Sequence, residues 1–368
     1  MFKDVIGLIM ADDVEVDLGE ISRPRALGAM PFGGRYRIID FVLSNFVNTH
    51  IYNVGVSTFV KYRSLMDHLG TGSPWDLDRM NEGLHILPPS IGIETSGGKG
   101  DDIGGIWDFY RDFPEKYIII ASCQCIYNTT YTDFIKTHIE SGADITVMYN
   151  VEEREQHTPY VVLDLDKEQK VRGVFKNPTK RISDAISMNT IIMRRETYID
   201  LLANMMSTGE KDATVLTFIN FFKEMDVRGY CYTGEVLRIN SLQSYFIETM
   251  RALSEPTRSC LFYAPNPIYT KVKDEAPTFY NDTCDVDNSM ISDGCSIRGT
   301  VKDSMLFRGV TVGRQSTVLN SIIFQDTFIS EGCHLENVII DKDSIIRPGT
   351  RLIGNPNYPV VIGKGVIV

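Results

Sequence analysis

Leu306-Phe307-Arg308-Gly309-Val310-Thr311-Val312-Gly313-Arg314-Gln315-Ser316-Thr317-Val318 decides how the last part of this chain folds. Leu306, Val312 and Val318 stand six residues apart. Ile323, Ile329 and Leu335 repeat that spacing 17 residues later, and Ile340, Ile346 and Leu352 repeat it again. One inward aliphatic residue per six marks one flat face of a hexapeptide-repeat coil, and three faces close a triangular turn. Ile291 and Ile297 read as part of an earlier, shorter turn. Short polar stretches with glycine, such as Ser330-Glu331-Gly332 and Arg347-Pro348-Gly349, fill the corners. The spacing predicts a left-handed parallel β-helix over 284–368, because an antiparallel sandwich would not hold this register through three repeats. Stacked coils of this kind more often serve assembly or spacing than chemistry.

Upstream, the rhythm is different. Val5–Met10, Asn53–Thr58, Tyr117–Ala121 and Ile145–Tyr149 are apolar runs of strand length. Periodic segments such as Asp40–Thr49 and Tyr131–Ser141 lie between them. Continuous apolar runs suit strands covered on both faces. Their alternation with helices predicts a Rossmann-like, mostly parallel sheet over 1–255, an α/β fold. Ligands of such sheets bind beyond the carboxyl ends of the strands, so the tips after Met10 and Ala121 are the places to search. Pro256, Pro265, Pro267 and Pro277 mark 256–283 as an extended linker.

The chain has 368 residues and a formal charge of -11. Nucleic acid and anionic membranes both require a net basic face, so neither is an expected partner. No run of about 18 apolar residues occurs, and Met1-Phe2-Lys3-Asp4 leads straight into a strand with no secretory pattern. The expectation is a cytoplasmic protein. Seven scattered cysteines fit reduced thiols. Cys123-Gln124-Cys125 has no second Cys or His pair at ligand spacing, so it reads as structural thiols and not as a metal centre.

Phe32-Gly33-Gly34-Arg35-Tyr36-Arg37-Ile38-Ile39-Asp40-Phe41-Val42-Leu43-Ser44-Asn45 closely resembles a signature block of bacterial glucose-1-phosphate adenylyltransferases, the ADP-glucose pyrophosphorylases. Met80–Pro89 resembles a second block, while Ser187-Met188 and the helix around Tyr245 are weaker matches. With the β-helix, the resemblance spans nearly the whole chain. It implies a scaffold that makes ADP-glucose and pyrophosphate from ATP and glucose 1-phosphate with Mg²⁺ for glycogen or starch synthesis, in tetramers often regulated by small anionic metabolites.

The residues that carry chemistry in that family differ here. A glycine-rich loop should follow the first strand so that backbone N–H groups can approach phosphates. Ala11-Asp12-Asp13-Val14-Glu15-Val16-Asp17-Leu18 stands there instead. One like-charge pair ~5 Å apart costs roughly 3 kcal/mol at an effective dielectric of ~20, so these acids repel a nucleotide. Metal binding by adjacent Asp12 and Asp13 is disfavoured, since neighbouring side chains seldom converge. The resemblance implies metal-binding aspartates at Gln124 and Arg238, an amide and a cation in place of anionic ligands. It implies a sugar-phosphate Glu-Lys pair at Lys176 and Asn177, and a phosphate-binding lysine at Leu27. Ser187 alone is kept from the sugar pocket. Losing one preorganised charge costs about 10²–10³ in rate, and losing them together leaves no route to adenylyl transfer.

Fold-keeping residues persist while chemistry-bearing ones are gone. The chain therefore resembles the GlgD-type branch of the family, regulatory subunits that accompany a catalytic paralogue. What that implies is a heterotetramer in which this chain holds no cofactor and the catalytic subunit uses Mg²⁺. A homo-oligomer is a further expectation. Arg25 and Arg37 match cationic positions of the family's effector site between the two domains, so a small phosphorylated effector is expected there. Arg298, Arg308, Arg314 and Arg347 are candidates to approach from the β-helix. Two other readings stand beside this one: an active sugar nucleotidyltransferase with an altered site, and a stand-alone sugar-phosphate or nucleotide sensor. Acyl transfer on the β-helix is disfavoured, because His334, its only histidine, falls inside a coil repeat.

Overall fold

The computed structural model describes residues 4–12, 16–58, 61–80, 82–87, 103–152, 160–210, 213–263 and 265–368. A nine-stranded sheet organises the first domain. Its strands are β1 (Val5–Met10), β2 (Asn53–Ser57), β3 (Gly83–Leu87), β4 (Tyr117–Ser122), β5 (Ile145–Val151), β6 (Val161–Leu165), β7 (Val171–Lys176), β8 (Ala185–Arg194) and β9 (Val227–Tyr232). Strands β3, β2, β1 and β4 lie side by side in parallel. Antiparallel β8 joins β4 to β5, and β9 runs parallel to β5. The hairpin β6–β7 branches from the start of β8, where Ile186 meets Val162.

Alternate residues of each apolar run serve opposite faces, as the pleat requires. Val5, Ile9, Val54, Ile119 and Ile192 pack beneath helices α1 (Ile38–Asn48), α2 (Arg63–Leu69) and α4 (Thr132–Ser141). Ile6, Leu8, Ile118, Ile120 and Ile191 pack beneath α3 (Ile103–Tyr110), α5 (Arg195–Thr208) and α6 (Val215–Ile219). This two-sided burial is why the strands read as unbroken apolar runs. The carboxyl ends of three strands share one rim, where Met10 lies level with Ser57 and Ser122.

The Phe32–Asn45 block builds the turn into α1. Gly33 and Gly34 take positive φ, and a Cβ on Gly33 would lie 2.8 Å from the Phe262 ring, so glycine is required there. Asp40 caps the helix by accepting from the Arg37 backbone N–H at 3.0 Å. Its other carboxylate oxygen pairs with His68 Nε2 at 2.5 Å.

The second domain is the triangular solenoid. Three five-stranded parallel sheets form its faces. The first face runs through Phe279–Tyr280, Ser296–Ile297, Thr311–Val312, Phe328–Ile329 and Ile345–Ile346. The second runs through Asp285–Asp287, Thr300–Lys302, Thr317–Leu319, His334–Glu336 and Arg351–Ile353. The third runs through Met290–Ile291, Met305–Leu306, Ile322–Ile323, Val338–Ile340 and Val360–Ile362. Leu306 pairs with Ile323, Val312 with Ile329 and Val318 with Leu335, the 17-residue register of the repeat. Ile291 pairs with Leu306 only 15 positions on, the shorter first turn.

The third face carries a second apolar row for a reason. Met305, Ile322 and Ile339 point outward from the solenoid, are fully buried, and share one core with Leu18, Ile21, Met30 and Tyr245 of the first domain. Ring contacts of Phe324 with Tyr245 and Phe307 extend that seam. The stretch 256–283 holds helix α8 (Thr257–Phe262), which follows α7 (Leu242–Arg251), and also the first solenoid strand. That strand eludes the aliphatic repeat because its residues are Phe279 and Tyr280.

Candidate functional site

At the rim of the parallel strands, side chains satisfy one another. Gly28 N–H donates to the Ala11 carbonyl at 2.8 Å, and a Cβ on Gly28 would lie 3.1 Å from Cys123 Sγ. Leu27, beside it, is buried in the apolar core. Asp12 is buried and accepts from Thr58 Oγ1 at 2.8 Å. Asp13, Val14 and Glu15 lie outside the described residues, as do Asn81, Pro88 and Pro89 of the second signature block. Gln124 accepts from the Asn189 side-chain amide, and its carbonyl accepts from Ile239 N–H at 2.7 Å.

Arg238 fills the floor between β5 and β8. It is 5% exposed. Its Nη1 donates to the Ser187 carbonyl at 2.7 Å and to Cys125 Sγ at 3.3 Å. Its Nη2 donates to Asn150 Oδ1 and, at 3.3 Å, to the Ile186 carbonyl. Its Nε faces Glu152 Oε2 at 3.4 Å. Ser187 is itself buried, and its hydroxyl accepts from the Asn189 N–H at 3.1 Å. Lys176 and Asn177 sit exposed at the end of the β6–β7 hairpin, where Asn177 takes positive φ and exchanges hydrogen bonds with the Tyr160 backbone. The structure thus brings Arg238 and Ser187 together, and Gln124 reaches them through Asn189. Burial pushes the Cys125 thiol up, with Arg238 opposing, and burial also raises Cys123. Both are protonated structural thiols at neutral pH.

A second locus lies where the first domain, the linker and the solenoid meet. A cavity of about 200 Å³ is lined by Arg35, Arg37, Lys271, Lys273, Arg308 and Lys342, with Asp67 as its one lining carboxylate among the described residues. Arg37 is positioned by donation to the Ser64 carbonyl at 2.6 Å. Arg308 is 7% exposed, and its Nε has no hydrogen-bond partner. Burial lowers the pKa of Arg37 to about 10, with Asp40 opposing. Burial followed by Arg35 lowers that of Arg308. Burial, then Arg37 and Arg25, brings Lys342 down to about 7. Crowded, partly dehydrated cations of this kind favour an anion.

Arg25 does not line this cavity. Its Nη2 donates to both carboxylate oxygens of Asp341 of the solenoid, at 2.8 and 2.9 Å, the side chains being 4% and 0% exposed. Of the four solenoid arginines considered from the sequence, only Arg308 reaches the cavity. Arg298, Arg314 and Arg347 stand exposed along another corner. Sequence reading missed Lys271, Lys273 and Lys342, because nothing in the repeat tells which corner faces the first domain. It also missed Asn150, Glu152 and Asn189, the partners of Arg238 and Gln124.

Comparison with known proteins decides the family. The nucleotidyl transferase family model matches residues 16–233, and the GlmU-like C-terminal hexapeptide model matches 276–357. Glycogen biosynthesis protein GlgD of Bacillus subtilis is 32% identical over all of this chain and 98% of its own length. GlgD of Geobacillus stearothermophilus is 34% identical with the same coverage. This chain belongs to the glucose-1-phosphate adenylyltransferase family. A glucose-1-phosphate adenylyltransferase of Halalkalibacterium halodurans is 30% identical over 86% of this chain and 85% of its own.

The two positions that the resemblance matches to metal-binding aspartates carry no carboxylate for Mg²⁺. The matched positions offer the Gln124 amide and the Arg238 guanidinium, and a cation already hydrogen-bonded in the floor repels another. No group of three or more acidic, His or Cys side chains converges for a metal among the described residues. No helix among them is long and apolar enough to cross a membrane.

The basic cavity makes one prediction of sign. Lys342 titrates near 10.4 when unfolded and at about 7 when folded. Between those values the unfolded chain holds more protons, so this group makes stability rise with pH, and its full penalty is present below 7. A bound anion relieves the penalty by favouring charged Lys342. Sulfate, which does not titrate here, should take up a fraction of a proton on binding at pH 8 and almost none at pH 6. Calorimetry in buffers of different ionisation heat reads this. The uptake should vanish in Lys342→Met.

Proposed function

We propose that this chain is a non-catalytic regulatory subunit of ADP-glucose pyrophosphorylase. It assembles with a catalytic paralogue into a heterotetramer and adjusts the paralogue's conversion of ATP and glucose 1-phosphate to ADP-glucose and pyrophosphate. In this reading Mg²⁺ belongs to the partner's site, and the pathway is glycogen synthesis, as the GlgD relatives' names suggest. The observation that carries it is Arg238, a buried guanidinium held by five acceptors where a catalytic member needs an anionic metal ligand. Such a group is built into the fold and cannot be displaced by substrate without breaking its hydrogen bonds to the Ser187 and Ile186 carbonyls and to Asn150.

The cavity supports the regulatory half of the proposal. Six cations around one carboxylate suit a small phosphorylated metabolite, bound through Arg37, Arg308 and Lys342. Co-expression of a tagged copy with a catalytic paralogue tests the assembly. The expected species by native mass spectrometry is a mixed tetramer. Recovery of two separate homo-oligomers would favour the stand-alone sensor instead.

A further inference from the structure

The link between the two domains has anchored ends and an unheld middle. Tyr269 N–H donates to Ser44 Oγ of α1 at 2.9 Å, and Thr270 beside it is buried. At the other end the Ala276 carbonyl accepts from Gly294 N–H at 2.6 Å, and Thr278 Oγ1 donates to the Ser292 carbonyl at 2.6 Å. Residues 271–275 between these anchors are all exposed. No backbone N–H or carbonyl of 271–275 has a hydrogen bond among the described residues. Peptide groups left to water in this way mark a segment that opens at little cost.

Alternate residues of the segment take opposite sides. Lys271 and Lys273 both line the basic cavity, while Val272 between them is 70% exposed. This arrangement sets two ammonium groups against Arg35, Arg37, Arg308 and Lys342, and it turns an aliphatic side chain into water. Lys271 Nζ is held by the Asp67 carbonyl at 2.6 Å. Lys273 has no hydrogen bond or ion pair among the described residues. Burial, Arg37 and Arg25 depress Lys342 in that order, and Lys273 adds to them. An anion in the cavity replaces this mutual repulsion by attraction to a shared charge.

We propose that 271–275 is a strap that closes over an anion in the cavity and swings out when the cavity is empty, with Lys273 as the residue that closes it. The proposal rests on the reading of the cavity as an anion site and adds a movement to it. Arg37 comes from the first domain, Arg308 and Lys342 from the solenoid, and Lys273 from the link between them, so one ligand gathers all three parts. A bound anion thereby restrains the covalent link that joins the domains. How far it does so is set by the difference in its affinity for the closed and open strap.

Trypsin digestion of the full chain tests it, because cleavage follows the population of the open form. The Lys271–Val272 bond should be cut readily in sodium chloride. Sodium sulfate at equal ionic strength, at a concentration that saturates the cavity by calorimetry, should slow that cut by at least about tenfold. Cutting after Lys167, exposed in the turn between β6 and β7, should not change. In Lys273→Gln the Lys271–Val272 bond should be cut as fast in saturating sulfate as in chloride, with sulfate still bound by Arg37, Arg308 and Lys342. Sulfate binding with no protection of the bond would overturn the strap and leave the cavity reading intact. Absence of sulfate binding would overturn both. Protection that persists in Lys273→Gln, or that appears equally after Lys167, would also overturn the strap.

Discussion

Arg238→Met should lower the melting temperature of the purified chain by on the order of 10 °C without producing any adenylyltransferase activity. The substitution keeps an unbranched apolar stem, two atoms shorter than arginine, and removes every donor. Glu152, whose side chain is 8% exposed, then loses its contact with the Arg238 guanidinium at 3.4 Å. The Ser187 and Ile186 carbonyls and the Asn150 amide lose their partner too. Breaking one side of a buried pair costs about 3–5 kcal/mol, and a domain of this size loses roughly 2–4 °C per kcal/mol. Arg238→Lys should fall between, because one ammonium cannot reproduce a planar fork that serves five acceptors. A scan by differential calorimetry reads both. Unchanged stability in Arg238→Met would mean that the guanidinium is not structural and that the floor is free to accept a ligand.

Arg25→Met should have a comparable effect at a different place. Arg25 and Asp341 form the one ion pair whose two side chains are both below 5% exposure among the described residues, and it crosses from the first domain to the solenoid. Arg25 Nη1 has no hydrogen-bond partner, so the guanidinium is held by the Nη2 hydrogen bonds to Asp341 and by its position over the Phe324 ring. Removal of Arg25 leaves Asp341 fully buried, with only the Lys342 backbone N–H among the described residues still donating to its carboxylate. The expected loss is about 3–5 kcal/mol, read as a lower urea midpoint, and Arg25→Met with Asp341→Leu should recover most of it. Sulfate affinity should change less in the double variant than in Lys342→Met, because Arg25 is tied to the seam and not to the cavity.

The two domains were legible in the sequence to different depths. The solenoid follows from spacing alone, since its inward aliphatics repeat with nothing else to obey. The sheet follows from apolar runs that must be covered on both faces. Contacts between distant segments were not legible. Arg25 and Asp341 are 316 positions apart, and neither side of the pair signals the other. Arg25 matches an effector position by its place in the chain, yet the corner on which Asp341 sits recruits it. Arg238 was readable as a lost aspartate but not as a filled floor, because Asn150 and Glu152 reach it only through the pairing of β5 with β8. Lys342 looked like any corner residue of the repeat, and its lowered titration arises first from its burial and then from the cations that the fold stacks around it.

The central claim is that this chain regulates a reaction it does not perform. The most direct measurement is the rate of ADP-glucose formation by the purified chain alone, by a catalytic paralogue alone, and by their mixture, with native mass followed in the same samples. The account predicts no turnover by the chain alone, a mixed oligomer, and a rate in the mixture that differs from the paralogue's own and shifts further with a phosphorylated metabolite. Turnover by the chain alone at the paralogue's rate, or a mixture that forms no joint species and shows the paralogue's rate unchanged, would contradict it.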